Sequence, residues 1–330
     1  MVESSKRIFI TGGAGYVGAV LVPALLSKGH EVTVLDLMIY GESVIEPHPN
    51  LQMIKGDLRD TALLKANIPG HDLVIHLACI SNDPSFELNP GLGKSINLDA
   101  FKPLVEISRS GGVSRFIYAS SSSVYGIKEE QDVNEQMELE PLTDYSKFKA
   151  DCEAILADYT ADDFVTVTIR PATVCGYSPR QRLDVVVNIL SNLAFHKRSI
   201  SIFGGSQLRP NIHIKDMVRA YELLIDAPAD LINGEVFNAG YQNHSVEELG
   251  NIVAEIMGPG IEIIQTPTDD NRSYHVSSKK IHDMLGFQSQ FTIEDAVSDL
   301  RNAFEEQLLS DPLENEMYFN IKRMQSISLS

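Results

Sequence analysis

Two side chains one helical turn apart could carry acid–base chemistry. Tyr145 and Lys149 are four positions apart, which places them on the same face of a helix. A phenol with a pKa of about 10 is a poor base at neutral pH, but an ammonium group one turn away favours the ionised form. The pair therefore predicts a base for the hydroxyl proton of an alcohol. Taken in isolation, the spacing is more typical of a packed aromatic beside a surface lysine.

The surrounding sequence separates this pair from a second copy of the same spacing. Tyr318 and Lys322 repeat the pattern without a nucleotide-binding motif before them, and we interpret that copy as chance. The first copy follows a run of hydroxyl side chains at 120–123, directly after a predicted strand. Ligands of parallel sheets bind at the carboxyl ends of strands. We expect Ser121 to hydrogen-bond the reacting oxygen, and Ser122 and Ser123 to contact substrate.

A glycine-rich loop near the N-terminus predicts a dinucleotide site. Residues 11–18 read Thr-Gly-Gly-Ala-Gly-Tyr-Val-Gly, after a predicted strand and at the start of a predicted helix. Glycines let the backbone approach a pyrophosphate, and the helix N-terminus supplies unpaired N–H groups. A tight turn without a ligand is the alternative. The expected cofactor contacts are Gly12, Gly15, Tyr16 and Val17, with Gly18 as a further candidate.

Acidic and apolar residues after the next strands refine the cofactor. Asp36 ends the second strand, 18 residues after Gly18, where a carboxylate can accept hydrogen bonds from ribose hydroxyls and repels a 2′-phosphate. This favours NAD over NADP, although Asp36 could also be an ordinary strand-end residue. By position at strand ends, we expect further contacts near the adenine and along the cofactor channel from Asp57, Leu58, Leu77 and Ala78.

Short β-branched runs alternate with helical patterns through the first half of the chain. This alternation implies crossover helices and a parallel sheet covered on both faces. We therefore predict an α/β fold with a Rossmann-type doubly wound parallel sheet and a smaller C-terminal substrate-binding lobe. Residues 1–172 form the NAD-binding domain, part of 212–240 returns to it, and 173–330 form mainly the lobe. The strands predicted to be buried are 7–11, 31–37, 51–55, 73–77, 115–119 and 164–170.

Composition limits the class of partner. The net charge of -18 argues against nucleic acid, since phosphate binding to such polymers needs clustered basic residues. Three cysteines without metal-ligand spacing predict neither disulfides nor a metal site. No apolar run of about 20 residues and no signal peptide are recognisable, so we expect a cytoplasmic protein without a membrane partner. Arginines in turn-rich segments could hold a diphosphate or be solvated, namely Arg180, Arg182, Arg209 and Arg272.

Together these motifs resemble the extended short-chain dehydrogenase/reductases, specifically the nucleotide-sugar epimerases and dehydratases. The resemblance covers nearly the whole chain. It implies that Ser121, Tyr145 and Lys149 are catalytic, that Tyr145 and Lys149 also bind the cofactor, that this cofactor is NAD and that a nucleotide-diphosphate sugar is the substrate. Arg209 and Arg272 match positions that contact the diphosphate or nucleoside. The resemblance also implies a homodimer through helices at 97–110 and 145–159, with Asn97 supporting the active-site helix.

The reaction remains open within the family. Members that are 4,6-dehydratases carry Thr-Asp-Glu where this chain has Ser121, Ser122 and Ser123, so the acidic pair needed for elimination is absent. This favours a 4-epimerase. Residues 175–184 are similar to a subgroup with GDP-heptose 4-dehydrogenases, which makes a 4-dehydrogenase or 4-reductase the alternative and suggests polysaccharide biosynthesis. A third possibility is a non-catalytic NAD-binding sensor or scaffold.

Overall fold

Apolar side chains on both faces of strand β1 (Arg7–Thr11) place it inside the central sheet. In the computed structural model, Ile8 and Ile10 join one core and Phe9 joins the other, because successive side chains of a strand point to opposite faces. Such a strand reads as a continuous apolar run, as expected when helices cover both sides. The structure describes residues 5–81, 83–128, 130, 132–268, 273, 275–327 and 329.

The strands of the described chain are β1 (Arg7–Thr11), β2 (Glu31–Asp36), β3 (Leu51–Lys55), β4 (Leu73–His76), β5 (Arg115–Ala119), β6 (Val165–Pro171), β7 (Thr173–Cys175), β8 (Ser199–Phe203), β9 (Leu208–His213), β10 (Glu235–Ala239), β11 (Gln242–Ser245) and β12 (Glu262–Thr266). Seven parallel strands among them form the central sheet, in the order β10-β6-β5-β4-β1-β2-β3. The change of direction between β1 and β4 marks the crevice where doubly wound sheets bind ligands.

Helices cover both faces of the sheet. The helices of the described chain are α1 (Gly18–Ser27), α2 (Thr61–Asn67), α3 (Asp83–Glu87), α4 (Pro90–Lys94), α5 (Phe101–Ser110), α6 (Asp144–Ala157), α7 (Val186–Lys197), α8 (Ile214–Asp226), α9 (Ala229–Ile232), α10 (Val246–Met257), α11 (Lys279–Leu285), α12 (Ile293–Glu305) and α13 (Asn320–Ser326). Side chains of α1, α8 and α11 enter one core, and those of α2, α5 and α6 enter the other. The predicted doubly wound α/β fold is confirmed.

The second half of the chain divides its elements between two places. β10 pairs with β6 in the main sheet, and α8 packs with α1. A separate core lies among α7, α10 and α12, beside a three-stranded sheet of β11, β9 and β7 and a pair of β12 with β8. Both α8 and β10 lie within residues 212–240. The division into domains, with part of 212–240 returning to the first, stays a prediction.

Two sequence-based expectations differ from the structure. β3 was expected to be buried, but it is the edge strand of the sheet, and its residues are half-buried or exposed. The helix expected from residue 97 begins as a π-turn at Ser95–Asp99, and α5 follows from Phe101. Apolar periodicity does not distinguish an edge strand from a central one, because that depends on which strand lies beside it.

Candidate active site

The glycine-rich loop joins the end of β1 to α1 and packs against two neighbouring strands. Gly12 has a φ of 76°, and its N–H donates to the Leu35 oxygen at 2.8 Å. A Cβ on Gly12 would stand 2.5 Å from the Ala78 nitrogen, and one on Gly18 would stand 2.3 Å from the Gly13 oxygen. Neither position has room for a side chain. Gly12 thus lets the loop pass the end of β4, and Gly18 lets α1 start against the loop.

The start of α1 fits a phosphate-bearing ligand. Val17 stands at its N-cap, and no described side chain caps the helix. Uncapped N–H groups and the positive end of the helix dipole favour an anion at this position. Gly15 faces the cavity described below, and a Cβ there would meet only the Gly12 oxygen, at 3.1 Å. The cradle therefore suits the pyrophosphate of a dinucleotide.

Asp36 connects the glycine loop to the end of β2. One carboxylate oxygen accepts from the Ala14 nitrogen at 3.0 Å, and the other accepts from the Met38 nitrogen at 2.7 Å. Burial raises the pKa of this carboxyl, and the two backbone hydrogen bonds act in the opposite direction. Each carboxylate oxygen has a second lone pair for a ribose hydroxyl. The geometry suits the ribose contact expected from the sequence.

The residues expected near the adenine and channel also border the cavity. Asp57 forms an ion pair with Arg59, with Oδ2 and Nη2 2.6 Å apart. Although partial burial opposes it, hydrogen bonding from Arg59 holds the pKa of Asp57 below its usual value. Leu58 is buried beside it, and Leu77 and Ala78 line the cavity after β4.

Tyr16 joins the two halves of the molecule. Its hydroxyl donates to the Gly176 oxygen at 2.7 Å and accepts from Asn188 Nδ2 at 3.0 Å. Ser178 Oγ donates to the Tyr16 oxygen at 2.8 Å. Burial raises the pKa of the Tyr16 phenol. A cofactor contact by Tyr16, as expected from the sequence, would therefore use its ring and backbone, because the hydroxyl is bound to the smaller lobe.

Tyr145 and Lys149 lie in the first two turns of α6. Thr143 begins the helix with a capping box, in which its side chain and that of Ser146 bond each other's backbone N–H. Lys149 is only 4 % exposed, and its Nζ donates to the Ala119 oxygen at 2.6 Å. The same Nζ lies 5.9 Å from the Tyr145 ring centroid. The spacing therefore places a fixed positive charge beside a half-buried phenol.

The serine cluster turns back over the end of β5. Ser121 caps a 3-10 turn at Ser122–Tyr125, and its Oγ accepts from the Ser123 nitrogen at 3.1 Å. The hydroxyl oxygens of Ser121 and Ser123 are 2.9 Å apart. Ser122 is buried. All three border the same cavity as Tyr145, so the hydroxyl groups and the phenol face one space.

A buried ionic network behind the site was missed by the sequence analysis. Arg170, at the end of β6, forms an ion pair with Glu153 of α6, with Nη2 and Oε2 2.6 Å apart. The same guanidinium donates to the Tyr125 hydroxyl at 2.7 Å, and Ser120 Oγ donates to Glu153. Glu153 lies one turn after Lys149 on the same helix face. That spacing could have revealed the network, because it places Glu153 on the buried face of the helix, where a charged side chain requires a partner.

The predicted arginines have different surroundings. Arg182 forms an ion pair with Asp184 at 2.8 Å, and its side chain is 13 % exposed. The guanidinium of Arg180 lies 3.5 Å from the Tyr40 ring centroid, and Nη2 donates to Asn320 Oδ1 at 2.7 Å. Among the described residues, Arg180 Nε and Arg182 Nη2 are buried without an acceptor. Arg209 lies in β9 and borders the cavity, and Arg272 lies outside the described residues.

One cavity of ≈540 Å³ brings these parts together. It runs along the carboxyl ends of β1, β2, β4 and β5 to the loops of the smaller lobe. The second Tyr-x-x-x-Lys copy does not form one helix face, because Tyr318 ends a 3-10 turn and Lys322 lies in α13. The expected site residues that line the cavity are Gly12, Gly15, Tyr16, Val17, Gly18, Asp36, Asp57, Leu58, Leu77, Ala78, Ser121, Ser122, Ser123, Tyr145, Arg180, Arg182 and Arg209. Lys149 is not one of the lining residues, and its ammonium is bound to the Ala119 oxygen instead.

Metal-binding clusters and long apolar helices are both missing from the described residues. No group of three or more histidine, cysteine, aspartate or glutamate side chains is arranged to hold a metal ion in the part of the chain that the structure describes. Within the same residues, every helix is too short or too polar to cross a membrane.

Comparison with known proteins adds a family match. The profile of the NAD dependent epimerase/dehydratase family matches residues 8–240. The UDP-glucose 4-epimerase of Corynebacterium glutamicum is 25% identical over 317 residues, covering 91% of this chain and 94% of that protein. The dTDP-glucose 4,6-dehydratase of Streptomyces niveus is 25% identical over 315 residues, covering 88% and 90%. A solved complex of the Thermus thermophilus UDP-glucose 4-epimerase with NAD has a TM-score of 0.80 at 25% identity, covering 90% of this chain and 99% of that one.

Proposed function

The chain belongs to the NAD-dependent epimerase/dehydratase family, and from that premise we propose that it is a nucleotide-sugar 4-epimerase. The observation that carries this proposal is the convergence of Ser121 and Tyr145 on one cavity with the glycine loop, while Lys149 is fixed behind the phenol. A base that can take the proton of an alcohol thus faces the space next to a dinucleotide cradle. NAD is the cofactor of the family.

The proposed chemistry assigns one role to each side chain. Bound NAD supplies the acceptor and donor of a hydride. Tyr145, ionised under the influence of the Lys149 ammonium, takes the proton from the hydroxyl on carbon 4 of the sugar. Ser121 hydrogen-bonds the same oxygen, which becomes a ketone. The keto sugar then turns in the cavity, and Tyr145 returns the proton to that oxygen when the opposite face of carbon 4 is reduced. The net result is inversion without net oxidation.

The carboxylates of the cavity argue against elimination of water. Three carboxylates border it among the described residues: Asp36, Asp57 and Asp184. Each is bound elsewhere: Asp36 to the glycine loop, Asp57 to Arg59, and Asp184 to Arg182. By resemblance, Ser121, Ser122 and Ser123 occupy the positions of the Thr-Asp-Glu of 4,6-dehydratases, and serine is a poor general acid or base at neutral pH. This supports epimerisation over dehydration.

Arginines of the smaller lobe are proposed to hold the substrate diphosphate. Arg182 Nη2 is buried without an acceptor among the described residues, and a buried unpaired donor is costly. Phosphate oxygens would satisfy it through charge-assisted hydrogen bonds. Arg180, Arg209 and Arg272 stay candidates for the same role. The relatives are named for UDP-glucose and dTDP-glucose, which supports a nucleotide sugar as the substrate. The experiment described next identifies the nucleoside and tests the GDP-heptose likeness.

The test is product analysis by proton NMR. Purified protein is incubated with UDP-, GDP- and dTDP-sugars in deuterated water. A carbon 4 epimer without solvent deuterium is the expected product. Deuterium at carbon 5 or 6 would contradict the proposal in favour of dehydration or 3,5-epimerisation. Stoichiometric reduction of added NAD would instead identify a 4-dehydrogenase, and a protein that binds NAD but converts no sugar would be the non-catalytic sensor.

We also propose that the protein works in the cytoplasm as a homodimer formed through α5 and α6. The outer face of α5 carries Lys102 and Glu106, 4.0 Å apart, and the exposed positions of α6 include Ala154 and Ala157. Small residues let helices approach closely, and opposite charges on one face can pair across a two-fold axis. Light scattering distinguishes a dimer of about 73 kDa from the 36.5 kDa chain.

A further inference from the structure

The segment after α12 leaves the smaller lobe and crosses towards the sheet. We call residues 310–327 together with Leu329 the C-terminal segment. The main-chain oxygen of Pro312 accepts from Asn192 Nδ2 at 2.8 Å. The main-chain oxygen of Tyr318 accepts from the Leu183 nitrogen at 2.9 Å. The Asn320 nitrogen donates to Asp184 Oδ2 at 2.8 Å. These bonds attach the segment to the smaller lobe along its course.

The same segment is also bonded to the sheet domain, at the ends of two strands. Asn320 Nδ2 donates to Ser81 Oγ at 2.8 Å, and Ser81 follows β4. Arg323 Nε donates to the Ile39 oxygen at 2.6 Å, and Ile39 follows β2. Strands β2 and β4 lie on either side of β1. The segment therefore spans the crevice in front of the glycine loop.

Arg180 joins the segment to the ribose side of the crevice. It donates to Asn320 Oδ1 at 2.7 Å, while its guanidinium lies over the ring of Tyr40. Tyr40 stands four positions after Asp36, the expected ribose ligand. Arg180 is only 4 % exposed, so this junction is shielded from water. A buried charge-assisted bond is stronger than an exposed one.

Apolar residues of the segment complete the wall. Met324 and Leu329 pack against the core that contains Leu58 and Ile80. Both residues, with Asn320, border the cavity that Asp36 also lines. The wall therefore offers apolar surface and one amide at the end of the cavity where the sequence places the adenosine.

We propose that the C-terminal segment is part of the dinucleotide site, in which Asn320, Met324 and Leu329 cover the adenosine half of NAD and keep the cofactor bound through turnover. This inference rests on the proposed function, because an epimerase must return the hydride to the same substrate molecule. Loss of reduced cofactor before that step would leave a ketone and an inactive protein. A covered adenosine slows dissociation without taking part in the redox step.

The test measures release of NAD directly. Wild-type protein and the variants Arg323→Gln and Asn320→Ala are loaded with fluorescent etheno-NAD and chased with excess NAD. We expect both variants to release the analogue at least about 10-fold faster, a difference of roughly 1.4 kcal/mol. The matched control is Lys322→Gln on the same helix, whose side chain is 44% exposed and contacts Leu313 and Glu314 instead. Its release rate should equal that of the wild type.

The outcomes separate the two proposals. Release rates of Arg323→Gln and Asn320→Ala equal to the wild type would overturn the role of the segment, whatever the sugar reaction. If Asn320→Ala does not fold, Arg323→Gln decides, because its side chain is 22% exposed and its bonds to Ile39, Glu316 and Ser326 lie outside the buried core. A wild-type protein that retains NAD but converts no nucleotide sugar would contradict the epimerase proposal and leave the release measurement intact.

Discussion

The ammonium of Lys149 donates a 2.6 Å hydrogen bond to the main-chain oxygen of Ala119. Ala119 is the last residue of β5, two positions before Ser121. One bond therefore ties the helix that carries Tyr145 to the loop that carries the serine hydroxyl. The relative position of phenol and hydroxyl is set by the sheet as well as by the helix spacing.

Replacing Lys149 should affect both charge and position. We expect Lys149→Met to lower kcat by about 10²- to 10⁴-fold and to move the alkaline rise of kcat/KM to higher pH, because the positive charge that favours the phenolate is lost. Rate measurements from pH 6 to 10 test this. Lys147→Met is the matched control, since Lys147 lies on the exposed side of the same helix, and an equal loss there would contradict the assignment.

Tyr145→Phe should strongly reduce turnover while NAD binding is kept. The phenol is the only group proposed to move the hydroxyl proton, so we expect kcat to fall by at least about 10²-fold. Steady-state rates and calorimetric NAD binding check the two parts. Tyr318→Phe, at the second copy of the Tyr-x-x-x-Lys spacing, should behave as wild type. Turnover retained by Tyr145→Phe would remove the phenol from the mechanism.

Gly18→Ala should weaken NAD binding, because the added Cβ would lie 2.3 Å from the Gly13 oxygen. Either the loop or α1 must shift, which displaces the pyrophosphate cradle. We expect at least a 10-fold loss of NAD affinity by calorimetry, or about 1.4 kcal/mol. Gly29→Ala, just past the C-terminal end of α1, is the control. There the added Cβ meets nothing within 4 Å but φ is 85°, so about 1 kcal/mol of stability should be lost without loss of NAD affinity.

Asp36→Asn should relax the preference for NAD over NADP, because the lost carboxylate would repel a 2′-phosphate.

The same substitution should change the pH dependence of stability. Burial raises the pKa of Asp36 in the folded state above its unfolded value. The folded state therefore binds this proton more tightly. As pH rises from the unfolded pKa to the higher folded pKa, the free energy of unfolding falls. Urea unfolding at pH 4 to 8 should show the wild type losing stability relative to Asp36→Asn with rising pH. A constant difference would contradict this.

Removing only one partner of the Glu153–Arg170 pair should lower the free energy of unfolding strongly. Both side chains are less than 10% exposed, so Glu153→Leu leaves a buried guanidinium without its carboxylate. We expect a loss of roughly 3–5 kcal/mol in urea unfolding. The double variant Glu153→Leu with Arg170→Met should recover part of that loss, since no unpaired charge remains. A double variant less stable than the single one would mean that Arg170 contributes mainly through Tyr125.

The sequence by itself determined the fold class, the glycine loop and the Tyr145–Lys149 spacing, because these depend on local periodicity and short-range geometry. Strand runs, crossover helices and one-turn spacings can be read from consecutive residues. The limits of β1, β3 and β5 agreed with the expectation residue by residue. The edge position of β3 did not follow, since edge strands are defined by their neighbours.

Only the tertiary structure decided which distant residues meet. The bond of Tyr16 to Gly176 and the position of Asn320 between Ser81 and Arg180 join residues that are far apart in the chain, and the Glu153–Arg170 pair joins a helix to the strand that follows it. Such contacts form when separate elements pack, and no local pattern encodes which partners face each other. Arg180 is an example. Its sequence context suggested that it binds a diphosphate, whereas in the folded chain its guanidinium contacts Tyr40 and Asn320 of the C-terminal segment.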